Sequence, residues 1–378
     1  MANQTTIDRD SLVADISTWD AITDHRTGSA GDKATDDWLR NSMQAAGLSP
    51  SVDAFEFERV AIHECTVLVD GLQISGVPMF DGGSTGPTPI EGQLGREILC
   101  APSAPSTPTA SLQKLRQAPA CQALIAVSAP QGNVDGLALL NAESYHAPWG
   151  PPVVQVSSIY ASQMQLYADA GARASVLAHT SRSQEITHNV TVSIDGTDSH
   201  AKPIVVMTPK SAWWTCTAER IGGICVWLAL ARHFAANPTP ARIIFTANTG
   251  HELSHLGLDH FLEANAGLDA ELWFHLGANF ASKDSAIHLQ ASSDFYMDKL
   301  TSHLGQHGVH SATQTPIAVR PAGEARNIYD IGGQYLSILG SNRWFHQPED
   351  RWPDSIDPDR TCAIVNASIS LMNDLMNA

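Results

Sequence analysis

Side chains of the types that bind metal ions are concentrated in four short segments in the second half of this chain. The segments are residues 215–220, 250–255, 275–279 and 344–350. They contain the following histidine, carboxylate and polar side chains: Glu219 and Arg220, His251, Glu252 and His255, His275 and Asn279, and His346 and Asp350. A hydrolytic metal ion needs about three histidine or carboxylate ligands and an open position for water. The four segments supply enough ligands for one such ion.

Three of these segments follow or end stretches that we predict to be buried β-strands. Apolar runs at residues 203–207, 241–246 and 271–276 alternate with helical patterns at residues 218–235 and 256–265. Strands that alternate with helices indicate an α/β fold with a largely parallel sheet. Ligands bind to such sheets at the carboxyl ends of the strands. The four segments are therefore expected to meet at one edge of the sheet.

The first 200 residues have a different organisation. Apolar residues recur at helical spacing within residues 8–47, which predicts two helices, and residues 51–57 alternate as in a strand. Short apolar runs separated by Gly, Pro and Ser then indicate a β-rich domain, with a helix at residues 161–170. A chain of 378 residues has room for one large domain and a smaller companion.

The order of these elements resembles that of the M28 family of zinc aminopeptidases over almost the whole chain. The resemblance extends from residues 25–29, which are similar to the family's Arg-x-x-Gly-Ser opening, to His346. It implies a zinc-exopeptidase-like, three-layer α/β domain with a mixed, largely parallel sheet, formed by residues 1–65 and 200–378. The remaining residues, 66–199, resemble the family's protease-associated domain, a smaller β-rich insertion.

The metal ligands of the family are matched only in part. Its bridging carboxylate lies four residues before a glycine, and Glu219 has this position before Gly223. The ligand of its Glu-Glu pair is matched by Glu252, and its last histidine ligand by His346. Residues 209–211, Pro-Lys-Ser, stand where the family has a His-x-Asp motif.

The missing ligands belong to one of the family's two metals. Gly277 stands where the family has an aspartate ligand, so the same metal loses a histidine and an aspartate. The resemblance therefore implies one divalent ion held by Glu219, Glu252 and His346, with His255 as a further candidate ligand. Zinc is favoured, and manganese, cobalt and iron are alternatives.

The residue types favour hydrolysis of an amide-type C–N bond by this mononuclear site. A bound metal lowers the pKa of its water toward about 7. His251 stands where the family has its general base, and an imidazole with an ordinary pKa near about 6.5 can take the proton. We predict Glu219 and His251 as catalytic residues, with His251 as acid and base. The metal half that is missing helps the family to recognise a free amine, so we do not expect a standard aminopeptidase, and aminopeptidase activity stays an alternative.

A small, carboxylated molecule is the predicted substrate. Arg220 at the mouth of the site can clamp a carboxylate through its bidentate fork, or it can pair with a surface carboxylate. Trp213, His275 and Asn279 are further candidates for substrate contacts. Asp350 is expected to orient His346.

Other functions compete for the same residues. His251, Glu252 and His255 also form an HExxH sequence, which on a helix makes two histidines zinc ligands and the glutamate a base. A metal-dependent lyase or deaminase is a further alternative. The lost ligands also allow a non-catalytic binding protein.

Composition excludes other classes of partner. The net charge is −17, with 22 basic against 39 acidic residues, which argues against nucleic-acid binding. We expect no membrane partner, because no stretch reaches the roughly 18 apolar residues of a membrane span, and the N-terminus lacks the pattern of a leader. We therefore predict a cytoplasmic location, with oligomer formation left open. The six cysteines lie far apart, as expected for reduced thiols.

Overall fold

A computed structural model describes residues 7–105, 109–131 and 134–377 of the chain. The described helices are α1 (Arg9–Ala21), α2 (Ala30–Ala45), α3 (Ala110–Arg116), α4 (Ala161–Ala170), α5 (Thr217–Ala236), α6 (Leu256–Ala264), α7 (Asp294–Gln306), α8 (Ala325–Asp330) and α9 (Pro358–Met376). The described strands are β1 (Ser51–Val69), β2 (Leu72–Ser75), β3 (Val77–Pro78), β4 (Ile90–Gln93), β5 (Ile98–Ser103), β6 (Ala123–Ser128), β7 (Val153–Val156), β8 (Arg173–Ile194), β9 (Ile204–Pro209), β10 (Ile243–Asn248), β11 (Leu272–Leu276), β12 (His288–Ala291), β13 (Thr313–Gln314) and β14 (Tyr335–Leu339).

The two helices predicted within residues 8–47 are confirmed as α1 and α2. Asp8 caps α1 by accepting hydrogen bonds from the backbone N–H groups of Asp10 and Ser11, and Ser29 caps α2. Caps of this kind satisfy N–H groups that have no partner within the helix and contribute about 1 kcal/mol each. Both helices bury apolar side chains in the main core.

The larger sheet is mixed, with parallel strands at its centre. Its order is β13-β12-β14-β11-β9-β10-β8-β1-β2, and β4 pairs with β8. Strands β10, β9, β11 and β14 are mutually parallel neighbours, whereas β8 runs antiparallel to β10. The carboxyl ends of the four parallel strands therefore lie at one edge of the sheet, as the alternation of strands and helices predicts.

Helices cover both faces of this sheet. Successive residues of β9 point to opposite faces, so Val206 belongs to the apolar cluster that contains side chains of α1, α2, α5, α7 and α9, whereas Val205 belongs to the cluster that contains side chains of α6 and α8. Helix α5 is almost entirely buried in the first layer, which explains its apolar sequence. The result is three layers, and the predicted fold class is confirmed.

A smaller sheet of order β3-β7-β6-β5 lies in the middle third of the chain. Helix α4 occupies residues 161–170 as predicted, and its Met164 packs in a separate apolar core with Ile125 and Val176. The long strands β1 and β8 pair from Ser51 to Val69 and extend from the larger sheet into this region. The domain boundaries at 65/66 and 199/200 stay a prediction.

No helix in the described part of the chain is long and apolar enough to cross a membrane.

Candidate functional site

A cavity of about 280 Å³ lies at the carboxyl ends of β10, β11 and β14. We call it the histidine pocket, and the following of its lining residues matter for its chemistry: His251, His255, His275, Asn279, Arg320 and Arg326. A larger cavity, of about 570 Å³, lies beside β1 and α6, but none of the predicted site residues lines it. The position of the histidine pocket at the edge where parallel strands end makes it the candidate functional site.

His251 and His255 lie in a tight turn after β10 and not on an α-helix. Residues His251–Leu253 form one 3-10 turn, and Gly250, Ser254 and His255 all have left-handed backbone conformations, with φ of 73°, 66° and 65°. A helix cannot pass through two such residues, so the HExxH helix hypothesis is wrong. The turn instead stacks the two imidazole rings, with centroids 4.7 Å apart and planes at 21°.

A buried carboxyl group holds His251. Its Nδ1 lies 3.1 Å from Oε1 of Glu324, which precedes α8. Burial raises the pKa of Glu324 to about 8, although Arg220 acts in the opposite direction. Burial, together with the nearby Arg220, holds the pKa of His251 well below its ordinary value. Near neutral pH the pair is therefore uncharged, with a protonated Glu324 and a neutral imidazole.

The other two histidines of the pocket are also neutral. Nδ1 of His255 lies 2.7 Å from the Asn327 side-chain oxygen, and Nδ1 of His275 lies 2.8 Å from the Ser337 hydroxyl. Burial lowers the pKa of each imidazole to about 3. Within the described part of the chain, two buried atoms of the pocket lining have no hydrogen-bond partner: Nε2 of His275 and Oδ1 of Asn279. The pocket therefore has unsatisfied polar atoms that a ligand can satisfy.

Glu219 lies below the pocket in the first turn of α5, where it contacts two other predicted site residues. Its Oε1 is 2.7 Å from Nη2 of Arg220 and 3.3 Å from Nε2 of His346, and all three side chains are buried. Burial alone would raise the pKa of Glu219, but Arg220 and His346 outweigh it and lower the pKa to about 2. Glu219 is thus ionised and paired with a guanidinium. We predicted that Arg220 lies at the mouth of the site, and this is wrong. The ion pair with Glu219 holds its guanidinium in the interior.

Glu252 is directed away from this pair. Its Oε1 accepts hydrogen bonds from the backbone N–H and the hydroxyl of Thr27, at 2.8 and 2.7 Å, and its Oε2 accepts from the Ser211 hydroxyl at 2.6 Å. Both oxygens of this buried carboxylate are therefore engaged. The structure uses Glu252 to tie the loop before α2 to the end of β9.

The predicted ligands do not fit a resident divalent metal as they are placed. Glu219 and His346 are neighbours, but Glu252 is satisfied elsewhere, and a zinc site needs at least three protein ligands. In the described ranges no group of three or more His, Cys, Asp or Glu residues is placed to hold a metal ion. The positive charge of Arg220 also opposes the binding of a metal cation. Two like unit charges 4 Å apart repel by about 4 kcal/mol at an effective dielectric constant of roughly 20, and the repulsion doubles when one of them is a divalent ion.

The space of the missing ligands is occupied by other side chains. A Cβ atom at Gly277 would lie 2.2 Å from a side-chain carbon of Leu339, so an aspartate does not fit there without a shift. Lys210, in the Pro-Lys-Ser segment, is buried against Asp32 and lies 2.7 Å from Asp36. Burial opposes the charge on Lys210, but the two carboxylates outweigh it and raise its pKa.

Two further residues differ from the sequence-based expectation. Asp350 does not orient His346: its carboxylate accepts from the backbone N–H groups of Ala218 and Glu219, at 2.9 and 3.0 Å, and so caps α5. The helix needs this distant cap because Cys216, at the N-cap position, makes no capping hydrogen bond. His346 is instead oriented by the Leu139 carbonyl, 2.6 Å from its Nδ1.

Trp213 lies outside the lining of the pocket. Its indole N–H donates to the Asn141 side chain at 3.0 Å, and its ring packs edge-on against Phe80. It belongs to an apolar cluster formed with residues from the middle of the chain. The prediction of a substrate contact at Trp213 therefore has no support in the geometry.

The sequence analysis missed Glu324, Arg320 and Arg326. Arg320 and Glu324 come from the segment that leads into α8, and Arg326 lies in the first turn of α8; this stretch carries no recognisable motif. Their only signal is the placement of charged residues next to a run of Gly, Pro and Ala at residues 321–323.

The chain is structurally similar to several aminopeptidases. A zinc aminopeptidase from Bacillus subtilis, BSAP, is 17% identical, with a TM-score of 0.76 over 96% of this chain and 94% of that one. An aminopeptidase from Aneurinibacillus sp. strain AM-1 is 14% identical, with a TM-score of 0.72 over 97% and 94%. A peptidase M28 precursor from Shewanella amazonensis SB2B is 13% identical, with a TM-score of 0.73 over 97% and 96%.

No protein-family model matches the sequence, and no curated protein matches it either. At such low identities the structural likeness establishes a shared fold. The chain has the fold of the M28-type zinc aminopeptidases, and the predicted resemblance is confirmed at that level.

Proposed function

We propose that this chain is a hydrolase that cleaves an amide-type C–N bond of a small molecule bound in the histidine pocket. The observation that carries the proposal is the pocket itself, which gathers three histidines where the parallel strands of an aminopeptidase fold end. Its volume of about 280 Å³ suits a small substrate.

His251 is the residue that we assign to proton transfer. Its imidazole is neutral, so it can accept a proton from water, and Glu324 fixes the orientation of the ring through Nδ1. With the ring N–H on Nδ1, donated to the carbonyl oxygen Oε1 of the protonated Glu324, Nε2 is the nitrogen that takes up the proton and returns it to the leaving amine. This role deepens the prediction from the sequence, in which His251 replaces a glutamate base.

The arginines at the rim favour a carboxylated substrate. Arg326 is partly exposed and makes a single contact of 3.0 Å with Glu143, which also lines the pocket. Partly exposed ion pairs of this kind contribute about 0–1 kcal/mol, so a substrate carboxylate can replace Glu143 at little cost. Arg320 lies beside it and is paired with Asp330.

Aminopeptidase activity is the second candidate. The structural neighbours named above are aminopeptidases or peptidases, and one is named a zinc enzyme. Glu143 supplies a carboxylate at the pocket that can receive a free amine. The proposed mechanism includes no metal step, because the donors of this chain do not fit a metal as they are placed.

A substrate panel tests these functions directly. Purified protein is assayed with aminoacyl p-nitroanilides, amino-acid amides and N-acyl amino acids, each with EDTA and with added Zn²⁺, Mn²⁺ or Co²⁺. We expect release of an amine from N-acyl amino acids, its loss in His251→Ala, and its retention in the control His310→Ala, since His310 is exposed. Preference for the aminoacyl substrates would select the second candidate.

A different result would overturn both candidates. Tight binding of a panel member by calorimetry, without turnover under any metal condition, would favour a non-catalytic binding protein. Conversion of a bound compound without hydrolysis of an amide would favour a lyase or deaminase.

A further inference from the structure

We propose that the guanidinium of Arg220 takes the place of a metal ion at Glu219 and His346, so that this site works without a resident divalent metal. The inference rests on the histidine pocket of the proposed function being the functional site, but it does not require hydrolysis. It concerns the source of the positive charge below that pocket.

The first support is the position of the guanidinium. One carboxylate oxygen of Glu219 contacts both Nη2 of Arg220, at 2.7 Å, and Nε2 of His346, at 3.3 Å. The arginine thus shares with His346 the same oxygen that a metal bound to Glu219 and His346 would take. All three side chains are at most 1% exposed, so solvent does not supply a competing cation.

The second support is that Arg220 is fixed in this position. Its Nε donates to the Ser211 backbone carbonyl at 2.7 Å, and the Ser211 hydroxyl donates to Glu252 at 2.6 Å. One chain of hydrogen bonds therefore holds the guanidinium at Glu219 and also directs Glu252 away from it.

The third support is a second buried cation, Lys210. Lys210 stands in the segment that lacks the His-x-Asp motif, and it is buried between Asp32 and Asp36. Two carboxylates of α2 thus lie against the ammonium group of Lys210, and the carboxylate in the first turn of α5 lies against the guanidinium of Arg220. Each of these carboxylates therefore has a side-chain cation beside it.

Removal of the guanidinium should expose a latent zinc site. Nδ1 of His346 lies 2.6 Å from the Leu139 carbonyl, which accepts the ring N–H, and Nε2 lies 3.3 Å from the Glu219 carboxylate. In Arg220→Ala these two side chains face each other without a competing cation, and we expect the loss of the Arg220–Ser211 hydrogen bond to release Glu252 as the third ligand. Arg220→Lys keeps a positive charge and serves as the matched control.

The test measures metal directly and needs no substrate. Untagged wild-type protein is analysed by inductively coupled plasma mass spectrometry, and zinc binding by wild type and variants is titrated against a zinc-sensitive dye. We expect less than about 0.1 equivalent of metal in wild type, at least tenfold tighter zinc binding by Arg220→Ala, and no gain in Arg220→Lys. The double variant Arg220→Ala/His346→Ala should lose the gain.

About one equivalent of zinc in wild type, removed by His346→Ala, would overturn the inference. So would equal zinc affinities for wild type and a folded Arg220→Ala. If Arg220→Ala does not fold, the wild-type metal content and Arg220→Met still decide the question. Failure of the substrate panel leaves this inference intact, whereas a resident zinc ion removes it without removing hydrolysis.

Discussion

A carboxyl oxygen of Glu324 lies 3.1 Å from Nδ1 of His251, and both side chains are at least nine-tenths buried. Because the pKa of Glu324 is about 8 in the folded protein and ordinarily 4.5, the folded chain keeps a proton that the unfolded chain loses. The stabilisation by this proton is complete below pH 4.5 and is lost as the pH rises to about 8. Its size is on the order of 3–5 kcal/mol.

The variant Glu324→Gln should remove this dependence, since glutamine imitates the protonated carboxyl group. We expect Glu324→Gln to match wild type near pH 5 and to be more stable near pH 8. Urea unfolding at pH 5, 6, 7 and 8 measures this, with Glu263→Gln as an exposed control. Parallel stability curves for wild type and Glu324→Gln would contradict the assignment of the proton to Glu324.

The ion pair between Glu219 and Arg220 predicts strong coupling between the two residues. The single variants Glu219→Gln and Arg220→Met each leave an uncompensated buried charge, which costs about 3–5 kcal/mol. The double variant removes both charges, so we expect it to recover at least half of the summed loss. A double-mutant cycle by urea unfolding measures the coupling, and additive losses would show that the residues do not act as a pair.

The lowered pKa of Glu219 also makes the stability of the protein depend on pH. The direction is opposite to that expected from Glu324. A pKa lowered from 4.5 to about 2 stabilises the folded chain above pH 4.5, and this contribution is lost as the pH falls toward 2. Acid unfolding of wild type should therefore begin below pH 4.5. The double variant of Glu219 and Arg220 should show a shallower loss over that range.

A second buried ion pair should be similarly important for stability. Lys210 contacts Asp32 and Asp36 in the interior, and Lys210→Met leaves the two carboxylates without their cation. We expect a loss of about 3–5 kcal/mol in the free energy of unfolding. The exposed pair of Lys202 and Asp269 offers a control, and Lys202→Met should leave the melting temperature unchanged. A Lys210→Met variant that is as stable as wild type would show that Lys210 does not stabilise the fold.

The fold was largely predictable from the sequence because its strands are buried on both faces and stand out as apolar runs. Residues 203–207 and 271–276 were found in this way, and they lie in or beside β9 and β11. The order of strands and helices also predicted that three histidines gather at one edge of the sheet, namely His251, His255 and His275. These features depend on local patterns, which a sequence shows directly.

The direction of each side chain was not predictable. The sequence places Glu252 after β10, but the hydrogen bonds from Thr27 and Ser211 that direct it away from Glu219 depend on residues far along the chain. The left-handed conformation of His255 is unusual for a residue with a side chain and has no sequence signal. Contacts of this kind decided whether the predicted ligands form a metal site.

The contact between α5 and the ends of the central strands gives a last prediction. A Cβ atom at Gly223 would lie 2.4 Å from the Thr208 hydroxyl and 2.8 Å from the Leu276 carbonyl oxygen. Gly223→Ala should therefore force α5 away from the sheet, with a loss of about 1–3 kcal/mol in the free energy of unfolding. The same shift would move Glu219, one turn earlier in α5, so the ion pair with Arg220 should also weaken.

Gly305 in α7 is the matched control, because no atom lies within 4 Å of a Cβ placed there and it is also helical. Gly305→Ala should stabilise the protein by about 0.5–1 kcal/mol, since alanine is the better helix former. Urea unfolding of both variants measures the two effects. Stabilisation by both substitutions would show that α5 does not need the close approach at Gly223, and the placement of Glu219 below the pocket would then have to be revised.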